Sequence, residues 1–351
     1  MQGKLIQLFP IDRRDFWEKV CCLESELQEI RLRLDKPVTY LCRGEEFYLD
    51  EQGYPTKLRE KAHCSDDEEI KSLLSHICHY SLYAFEEELK QGFITVPGGH
   101  RIGVAGQVVS EGTDEIHTIK HIAYLNIRIA HQMPGVADKI LPDLYHGGEL
   151  YNTLIISPPG CGKTTLLRDI VRQVSDGNAY GKGMCVGVVD ERSELAGTFM
   201  GHAQNDVGIR TDVLDACPKA RGMMLLLRSM SPKVIAVDEL GGEEDMHALH
   251  MAAACGSRIL ATVHGDDICD YFYKFRRFDS AGSLFDLFVV LGKKDGIPII
   301  KKVSRREEAY AACLGGSYDN RRLPWLGGMV PGTVSKETDD SERLGKNIGT
   351  L

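Results

Sequence analysis

The sequence lacks the long apolar run and the leader that would place the protein in or across a membrane. No apolar stretch approaches the roughly 18 residues that a spanning helix requires. The N-terminal residues MQGKLIQLFPIDRRDF contain no basic segment followed by an apolar core, so we expect no signal peptide. These absences predict a cytoplasmic protein that becomes peripheral at a membrane only through a partner.

The sequence also lacks an excess of basic residues and any C-x-x-C pair. Lys and Arg number 42 against 51 Asp and Glu, which gives a formal net charge of −9 and argues against a nucleic-acid partner. The 11 cysteines are interpreted as reduced thiols of a cytosolic protein, with Cys185, Cys217 and Cys255 in apolar stretches of the core. The basic and aromatic stretch 271–278 is interpreted as an amphipathic element that packs its aromatic rings inward, and contact with nucleic acid or lipid is the alternative.

The chain of 351 residues is long enough for two domains, and it divides at a glycine-rich segment after Tyr145. We predict a smaller α/β domain over 1–145, a larger domain over 146–312 and a flexible tail over 313–351. In the first domain, periodicity and turn residues predict strands within 29–42, a helix over 66–91 capped by Ser65, a hairpin over 93–109, a strand over 124–130 and a short helix over 135–144.

After residue 146 strands alternate with helices, which is typical of a parallel sheet with crossover helices. The predicted elements are strands 153–157, 184–190, 234–238 and 258–263, helices 164–175, 219–230 and 244–255, and a hairpin of strands 285–291 and 297–303. The fold class is therefore α/β, with a domain built on a parallel central sheet and preceded by a smaller α/β N-terminal domain.

The segment SPPGCGKTT, residues 157–165, lies between a predicted strand and a predicted helix. Gly160 and Gly162 let the backbone turn so that its N–H groups point inward, and such donors at a helix N-terminus bind phosphate. Lys163 is expected to reach the β- and γ-phosphates of ATP, and the Thr164 hydroxyl to ligate Mg²⁺. The predicted nucleotide-binding residues are Ser157 (in place of the usual glycine), Pro158, Pro159, Gly160, Cys161, Gly162, Lys163, Thr164 and Thr165.

Ligands in an open parallel sheet bind at the carboxyl ends of the strands, and four predicted strands end in polar residues. One end is the phosphate loop, and the others are Asp190-Glu191 followed by Glu194, Asp238-Glu239, and Thr262 with His264. Their convergence predicts a catalytic site in which His264 is a candidate sensor of the γ-phosphate.

The run VIAVDE is the second strong motif, because four apolar residues predict a fully buried strand. Asp238 is predicted to hold the Mg²⁺ shell, and Glu239 to orient and deprotonate the attacking water. We expect the strand ending at Asp190 to lie between the two motif strands, as in RecA-like and AAA-type ATPases. The two motifs together predict that residues 146–312 form a RecA/AAA-like P-loop NTPase domain, a P-loop ATPase domain. His247 and His250 have helical spacing but no third ligand nearby, so no other metal site is predicted.

An ATPase of this kind usually needs an arginine near the γ-phosphate, often from a neighbouring subunit. The candidates are Arg101 and Arg128 in the first domain and Arg210 and Arg228 in the second. Ordinary surface arginines on strands remain an alternative for the first pair.

Several long segments resemble one protein family. They are SPPGCGKTTLLRDIVR, VVDERSELAG, the stretch from GIRTD to VDELGG, ILATVHG and, in the first domain, GGHRIGVAG and NIRIAHQMPGVADKILP. Together they resemble the stage III sporulation AA family over about 29–303, and that family is similar to the hexameric ATPases of type II and type IV secretion. The resemblance implies a mother-cell ATPase that forms a homo-oligomeric, hexamer-like ring with integral membrane proteins of a sporulation channel complex as partners.

The resemblance also implies roles for individual residues. It assigns Glu239 to the acid of the second nucleotide motif, Asp190, Glu191 and Glu194 to an acidic box, His264 to a histidine box, and Arg101 and Arg128 to arginines that contact nucleotide across the ring. Whether Glu191, Glu194 or Glu239 is the general base stays open at this point.

Two other functions compete with a ring ATPase that uses ATP and Mg²⁺. A GTPase switch is suggested because Asp238–Gly241 fits D-x-x-G and Gly292–Asp295 is one residue from N-K-x-D. Gly292 cannot supply the asparagine contact, which weighs against this reading. The other alternative is a scaffold that binds ATP only to assemble.

Overall fold

The computed structural model describes residues 5–81, 85–110, 116–276, 281–294 and 296–315. By their contacts the residues form an N-terminal unit, Met1–Gln132 with Gly197–Asn205, and a C-terminal unit, Met133–Ala196 with Asp206–Leu351. The first boundary therefore falls after Gln132 and not at residue 145. The reason is that the Asp169 carboxylate of the C-terminal unit accepts hydrogen bonds from the backbone N–H groups of Gly135 (3.0 Å) and Ala137 (2.9 Å).

The N-terminal unit is α/β. Its strands are β1 (Leu27–Arg33), β2 (Lys36–Pro37), β3 (Thr39–Cys42), β4 (Glu45–Leu49), β5 (Pro55–Thr56), β6 (Cys64–Ser65), β7 (Phe93–Thr95), β8 (Arg101–Ser110) and β9 (Ile116–Arg128). Its helices are α1 (Arg14–Cys21), α2 (Asp67–Ile77) and α3 (Glu86–Lys90), with 3-10 helices at Leu5–Leu8, Ile11–Arg13 and Arg59–Lys61.

The main sheet of this unit is antiparallel and has the strand order β5-β4-β3-β1-β9-β8-β7. The predicted hairpin around Gly98 is confirmed as the β7–β8 pair. The predicted helix over 66–91 is instead two helices, α2 and α3, because α2 ends at Ile77. Its N-cap is Asp66 and not Ser65, since the Asp66 carboxylate accepts the backbone N–H of Glu69 at 2.8 Å.

The segment Gly197–Asn205 joins the N-terminal unit although it follows the acidic strand end of the other unit in sequence. Its Gln204 side chain accepts a hydrogen bond from the backbone N–H of Gly98 at 3.0 Å, and Phe199 packs against the core of the unit. No pattern in the sequence predicted that the chain returns to the N-terminal unit at this segment.

The C-terminal unit contains the predicted alternation of strands and helices. Its strands are β10 (Tyr145–His146), β11 (Glu149–Leu150), β12 (Thr153–Ser157), β13 (Val186–Asp190), β14 (Thr211–Asp215), β15 (Val234–Val237), β16 (Arg258–His264), β17 (Leu287–Lys294) and β18 (Ile297–Arg305). Its helices are α4 (Leu141–Leu144), α5 (Lys163–Asp176), α6 (Lys219–Ser229), α7 (Glu243–Ala254), α8 (Ile268–Lys274), α9 (Ala281–Leu284) and α10 (Arg306–Gly315).

The central sheet of this unit has the order β14-β13-β15-β16-β12-β17-β18. All of its pairs are parallel except the β17–β18 hairpin, so the predicted α/β class and parallel sheet are confirmed. Every residue of β12, β13 and β15 is buried, because helices and loops cover both faces of the sheet.

The predicted strand order was wrong at the motif strands. The strand between β12 and β15 is β16, which ends at His264, whereas the strand ending at Asp190 lies on the far side of β15. The cause is the register: β16 pairs with β12 through Ile155 and Thr262 and with β15 through Ala236 and Leu260. His264 is therefore brought between the two motif strands.

The cysteine interpretation also needs correction. Cys269 of α8 and Cys313 of α10 form a disulfide. Cys185 and Cys255 are exposed and not in the core, because each lies next to the start or end of a buried element and not inside it. The predicted tail begins at residue 313 inside α10, and its residues 316–351 lie outside the described ranges.

The aromatic stretch after residue 270 forms most of α8, and Tyr271, Phe272 and Phe275 are buried as predicted. Arg277 and Phe278 of that stretch lie outside the described ranges. Within the described part of the chain, no helix combines the length and apolar character that crossing a bilayer needs.

Candidate nucleotide site

The phosphate loop connects the buried strand β12 to helix α5, as its motif predicts. Gly160 and Gly162 have φ values of +69° and +82°, a backbone region that side chains disfavour. Ser157 is not in that region; it is buried at the end of β12, and its hydroxyl donates to the Pro158 carbonyl at 2.9 Å. The missing first glycine therefore leaves the loop conformation unstrained at Ser157.

Lys163 is the centre of a charged cluster. Its Nζ lies 2.6 Å from Glu239 Oε1 and 3.3 Å from His264 Nε2. His264 Nε2 is in turn 3.0 Å from Glu239 Oε1. These contacts connect the phosphate loop to the ends of two other strands. Lys163 is only 6 % exposed, so its interactions are little weakened by solvent.

Glu239 is also in contact with the arginine of the acidic box. One guanidinium nitrogen of Arg192 lies 3.1 Å from Glu239 Oε2. Burial acts to raise the pKa of the Glu239 carboxyl, but the hydrogen bond from Lys163 and nearby positive charges outweigh it, so this pKa is lowered. Glu239 is thus ionised at neutral pH and able to accept a proton.

Thr164, Asp238 and Thr262 form a second group of oxygen atoms beside the first. The Thr164 hydroxyl donates to Asp238 Oδ2 at 2.6 Å, and the buried Thr262 hydroxyl donates to Asp238 Oδ1. Thr262 Oγ1 also accepts the backbone N–H of Glu239 at 2.8 Å. A hydroxyl and a carboxylate directly beside a phosphate loop are ligands that fit Mg²⁺, which takes oxygen ligands and keeps several waters.

Asp190 of the acidic box is committed to backbone contacts. Its carboxylate accepts the N–H groups of Glu194 and Ala196, each at 2.8 Å. Burial raises the pKa of Asp190, and these hydrogen bonds partly oppose the rise. Arg168 of α5 donates to the carbonyls of Glu194 and Leu195 at 2.6 Å. Asp190 and Arg168 therefore hold the loop that presents the other two acids.

Most of the predicted catalytic residues line one cavity. Glu191 pairs there with Lys219, the first residue of α6, and Lys274 of α8 donates to the Leu240 carbonyl at 2.9 Å. Burial lowers the pKa of Lys274. The lining residues are Asp190, Glu191, Arg192, Glu194, Lys219, Asp238, Glu239, Leu240, Gly241, His264 and Lys274.

Three cations of this cavity, Arg192, Lys219 and Lys274, were missed by sequence reasoning. Lys219 and Lys274 lie at helix ends that reach the site only through tertiary packing. Arg192 carried a usable signal, because it lies inside the acidic box between Glu191 and Glu194.

The candidate arginines have different surroundings. Arg101 of β8 and Arg128 of β9 are register partners in the N-terminal unit, and the Arg101 guanidinium lies 3.5 Å from the centre of the Phe93 ring. Arg210 donates to the carbonyls of Ser175 and Asp176 at the end of α5, which gives it a capping role. Arg228 is exposed on α6.

Metal clusters of the usual kind are not found where the chain is described. No group of three or more His, Cys, Asp or Glu side chains in those ranges could hold a metal ion. His247 is exposed on α7, and burial and the charge of His247 lower the pKa of His250.

Comparison with known proteins identifies relatives of the sequence. A family model described as "Sporulation stage III, protein AA" matches residues 2–307. The stage III sporulation protein AA of Bacillus subtilis (strain 168) is 46% identical over 245 residues, which covers 70% of this chain and 75% of the relative.

Solved structures share the fold. The Legionella pneumophila ATPase DotB is 16% identical with a TM-score of 0.55, and the match covers 91% of this chain and 86% of DotB. The pilus retraction motor PilT, whose structure contains ADP, is 15% identical with a TM-score of 0.58, and the match covers 86% of this chain and 87% of PilT. At these identities the similarity establishes that this chain shares the fold of DotB and PilT.

Proposed function

This chain belongs to the stage III sporulation protein AA family, and from that premise we propose that it is a Mg²⁺-dependent ATPase that converts ATP and water to ADP and phosphate. The observation that carries the proposal is the contact of Lys163 with Glu239 and His264, beside the Thr164–Asp238 hydrogen bond. It supports the proposal because it brings a lysine of the glycine-rich loop, an ionised carboxylate and a hydroxyl–carboxylate pair together at the carboxyl ends of the strands.

Each group has a task that its position supports. The backbone N–H groups of residues 159–165 and the Lys163 ammonium bind the β- and γ-phosphates. Thr164 and Asp238 hold Mg²⁺, which when bound neutralises charge on the phosphates. Glu239 receives the proton of the attacking water, and His264 contacts the γ-phosphate from the intervening strand β16.

We further propose that the active form is a homo-oligomeric ring of hexamer type. Arg101 and Arg128, which lie in the N-terminal unit, then complete the site of an adjoining subunit. The ring works in the cytoplasm of the mother cell and becomes peripheral at the membrane through integral membrane proteins of a sporulation channel complex, which it energises.

The direct test is the turnover of the purified wild-type protein with Mg²⁺ and either ATP or GTP, combined with light scattering for the oligomeric state. We expect ATP hydrolysis and a larger assembly with ATP and Mg²⁺ than without them. Effective competition by GTP for the ATP site would favour the switch alternative. If a ring assembled with its membrane partners also showed no turnover, the ATPase proposal would fail and the scaffold that binds ATP only to assemble would remain.

The arginine proposal predicts a loss of turnover that a second subunit can repair. Arg101→Ala and Arg128→Ala are each expected to reduce kcat about a thousandfold, because a charge opposite the transferred phosphate is removed. Mixing either variant with Lys163→Ala subunits, which retain both arginines, should restore part of the activity. Arg59→Ala, an exposed arginine of the same unit, is the control and should leave kcat unchanged. Full activity of both single variants would contradict the proposal.

A further inference from the structure

The β17–β18 hairpin lies against the phosphate loop on the side away from Glu239. Strand β12 has β16 on one side and β17 on the other. Ile156 of β12 is in register with Val290 of β17, so β17 runs past the end of β12 and continues beside the loop. The hairpin therefore forms a second flank of the nucleotide site.

Two residues of this hairpin approach the two loop glycines. Lys293 Nζ lies 3.6 Å from the position that a Cβ atom on Gly160 would occupy. Pro298, the register partner of Lys293, lies 3.6 Å from the corresponding position on Gly162. These are van der Waals distances to the part of the backbone that curls around a phosphate chain.

Gly292, directly before Lys293, has a packing reason of its own. A Cβ atom there would stand 2.0 Å from Lys301 Cε, so a larger residue at this position would require the flexible end of the Lys301 side chain to move. This glycine thus serves the hairpin, and the segment from Gly292 that resembled N-K-x-D places a lysine beside the phosphate loop. Asp295, the last residue of that segment, lies outside the described ranges.

The sheet order determines which part of a nucleotide Lys293 can meet. Glu239 and His264 lie toward β15 and β16, so the γ-phosphate must point that way for hydrolysis. The rest of the nucleotide then extends toward the opposite flank of the loop, where the exposed Lys293 ammonium is located. A lysine ammonium is a flexible point charge that suits phosphate oxygens.

We propose that Lys293 is a nucleotide-binding residue that contacts the phosphate chain at its α- and β-phosphates. The proposal rests on the ATPase function proposed above. Because these phosphates are present in ADP and ATP alike, Lys293 contributes equally to the binding of both and leaves the chemical step unchanged.

Equilibrium binding of ADP and ATP in the presence of Mg²⁺ tests the proposal on the full-length chain. ATP is measured in a Glu239→Gln background, which slows its hydrolysis. Lys293→Ala should weaken both nucleotides by about tenfold, the usual effect of one charge-assisted contact at an exposed site. Its kcat should stay within about twofold of wild type while KM rises. Lys293→Arg, which keeps the charge, should retain most of the affinity.

The adjacent Lys294→Ala is the matched control, because successive side chains of a strand point to opposite faces and Lys294 is equally exposed. It should leave both affinities unchanged. Wild-type affinity in Lys293→Ala would overturn the assignment, and so would equal losses in Lys293→Ala and Lys294→Ala or a lower kcat with unchanged ADP binding. A wild-type protein that bound no nucleotide would instead contradict the ATPase proposal itself.

Discussion

Replacing Lys163 with alanine is expected to weaken nucleotide binding by roughly a hundredfold and to abolish measurable ATP turnover. The Lys163 ammonium is buried and lies 2.6 Å from Glu239, so it is held rigidly where the phosphates must enter. Its removal takes away the cation that offsets the phosphate charge and leaves Glu239 to repel the nucleotide. Both effects act in the same direction, which is why the loss should exceed that of any surface lysine.

The measurement combines ATP turnover with equilibrium binding of ADP and Mg²⁺. Lys233→Ala is the control, because Lys233 is exposed and directly precedes β15, at the end of the strand opposite the site. A thermal unfolding curve shows whether Lys163→Ala remains folded. Near-normal turnover in a folded Lys163→Ala protein would place hydrolysis elsewhere or attribute it to a contaminant.

Local patterns predicted every strand of the central sheet except β14, while the order of the strands in the sheet could not be read from the chain. β12 and β15 were recognisable because each is an apolar run that ends in polar residues. β16 separates them through pairing between residues about a hundred positions apart, such as Ile155 with Thr262, and no local signal encodes that pairing. The role of His264 between the motif strands depends on this non-local step.

Two further features escaped prediction for definite physical reasons. β14 is an edge strand whose residues TDVLD are all half-buried, so it lacks the apolar run that marked the other strands. The disulfide joins Cys269 and Cys313 across 44 residues, and its pairing depends on the packing of α10 beside α8 and not on spacing. The site acids, by contrast, were predictable because they lie at the end of a buried strand or within a few residues after it.

The second large effect is expected for Glu239→Gln, which should reduce kcat by about a thousandfold and change nucleotide affinity by no more than a few-fold. Glutamine has the same shape and can still accept a hydrogen bond from Lys163, so the site stays assembled. It cannot take a proton from water. The effect is therefore confined to the chemical step, in contrast to that of Lys163→Ala.

Glu191→Gln and Glu194→Gln are the matched comparisons that decide which acid is the base. Glu191 is paired with Lys219, while the Glu194 backbone is held by Asp190 and Arg168. Only Glu239 contacts both Lys163 and His264 in the described structure. We therefore expect Glu191→Gln and Glu194→Gln to reduce kcat by about tenfold or less. A thousandfold loss in either of them, with Glu239→Gln still active, would transfer the base to the acidic box.

The lowered pKa of Glu239 is compatible with this assignment because it depends on a hydrogen bond from Lys163, the same group that is proposed to bind phosphates. In the structure Lys163 donates to the Glu239 carboxylate, and this hydrogen bond lowers the pKa. The proposed function implies that bound phosphates compete with Glu239 for the Lys163 ammonium, and loss of this partner would raise the proton affinity of Glu239. We therefore expect Glu239 to be a stronger base when phosphates occupy the loop than in the unliganded site. Glu239→Gln has no carboxylate to titrate, so it should lose the chemical step and leave nucleotide binding intact.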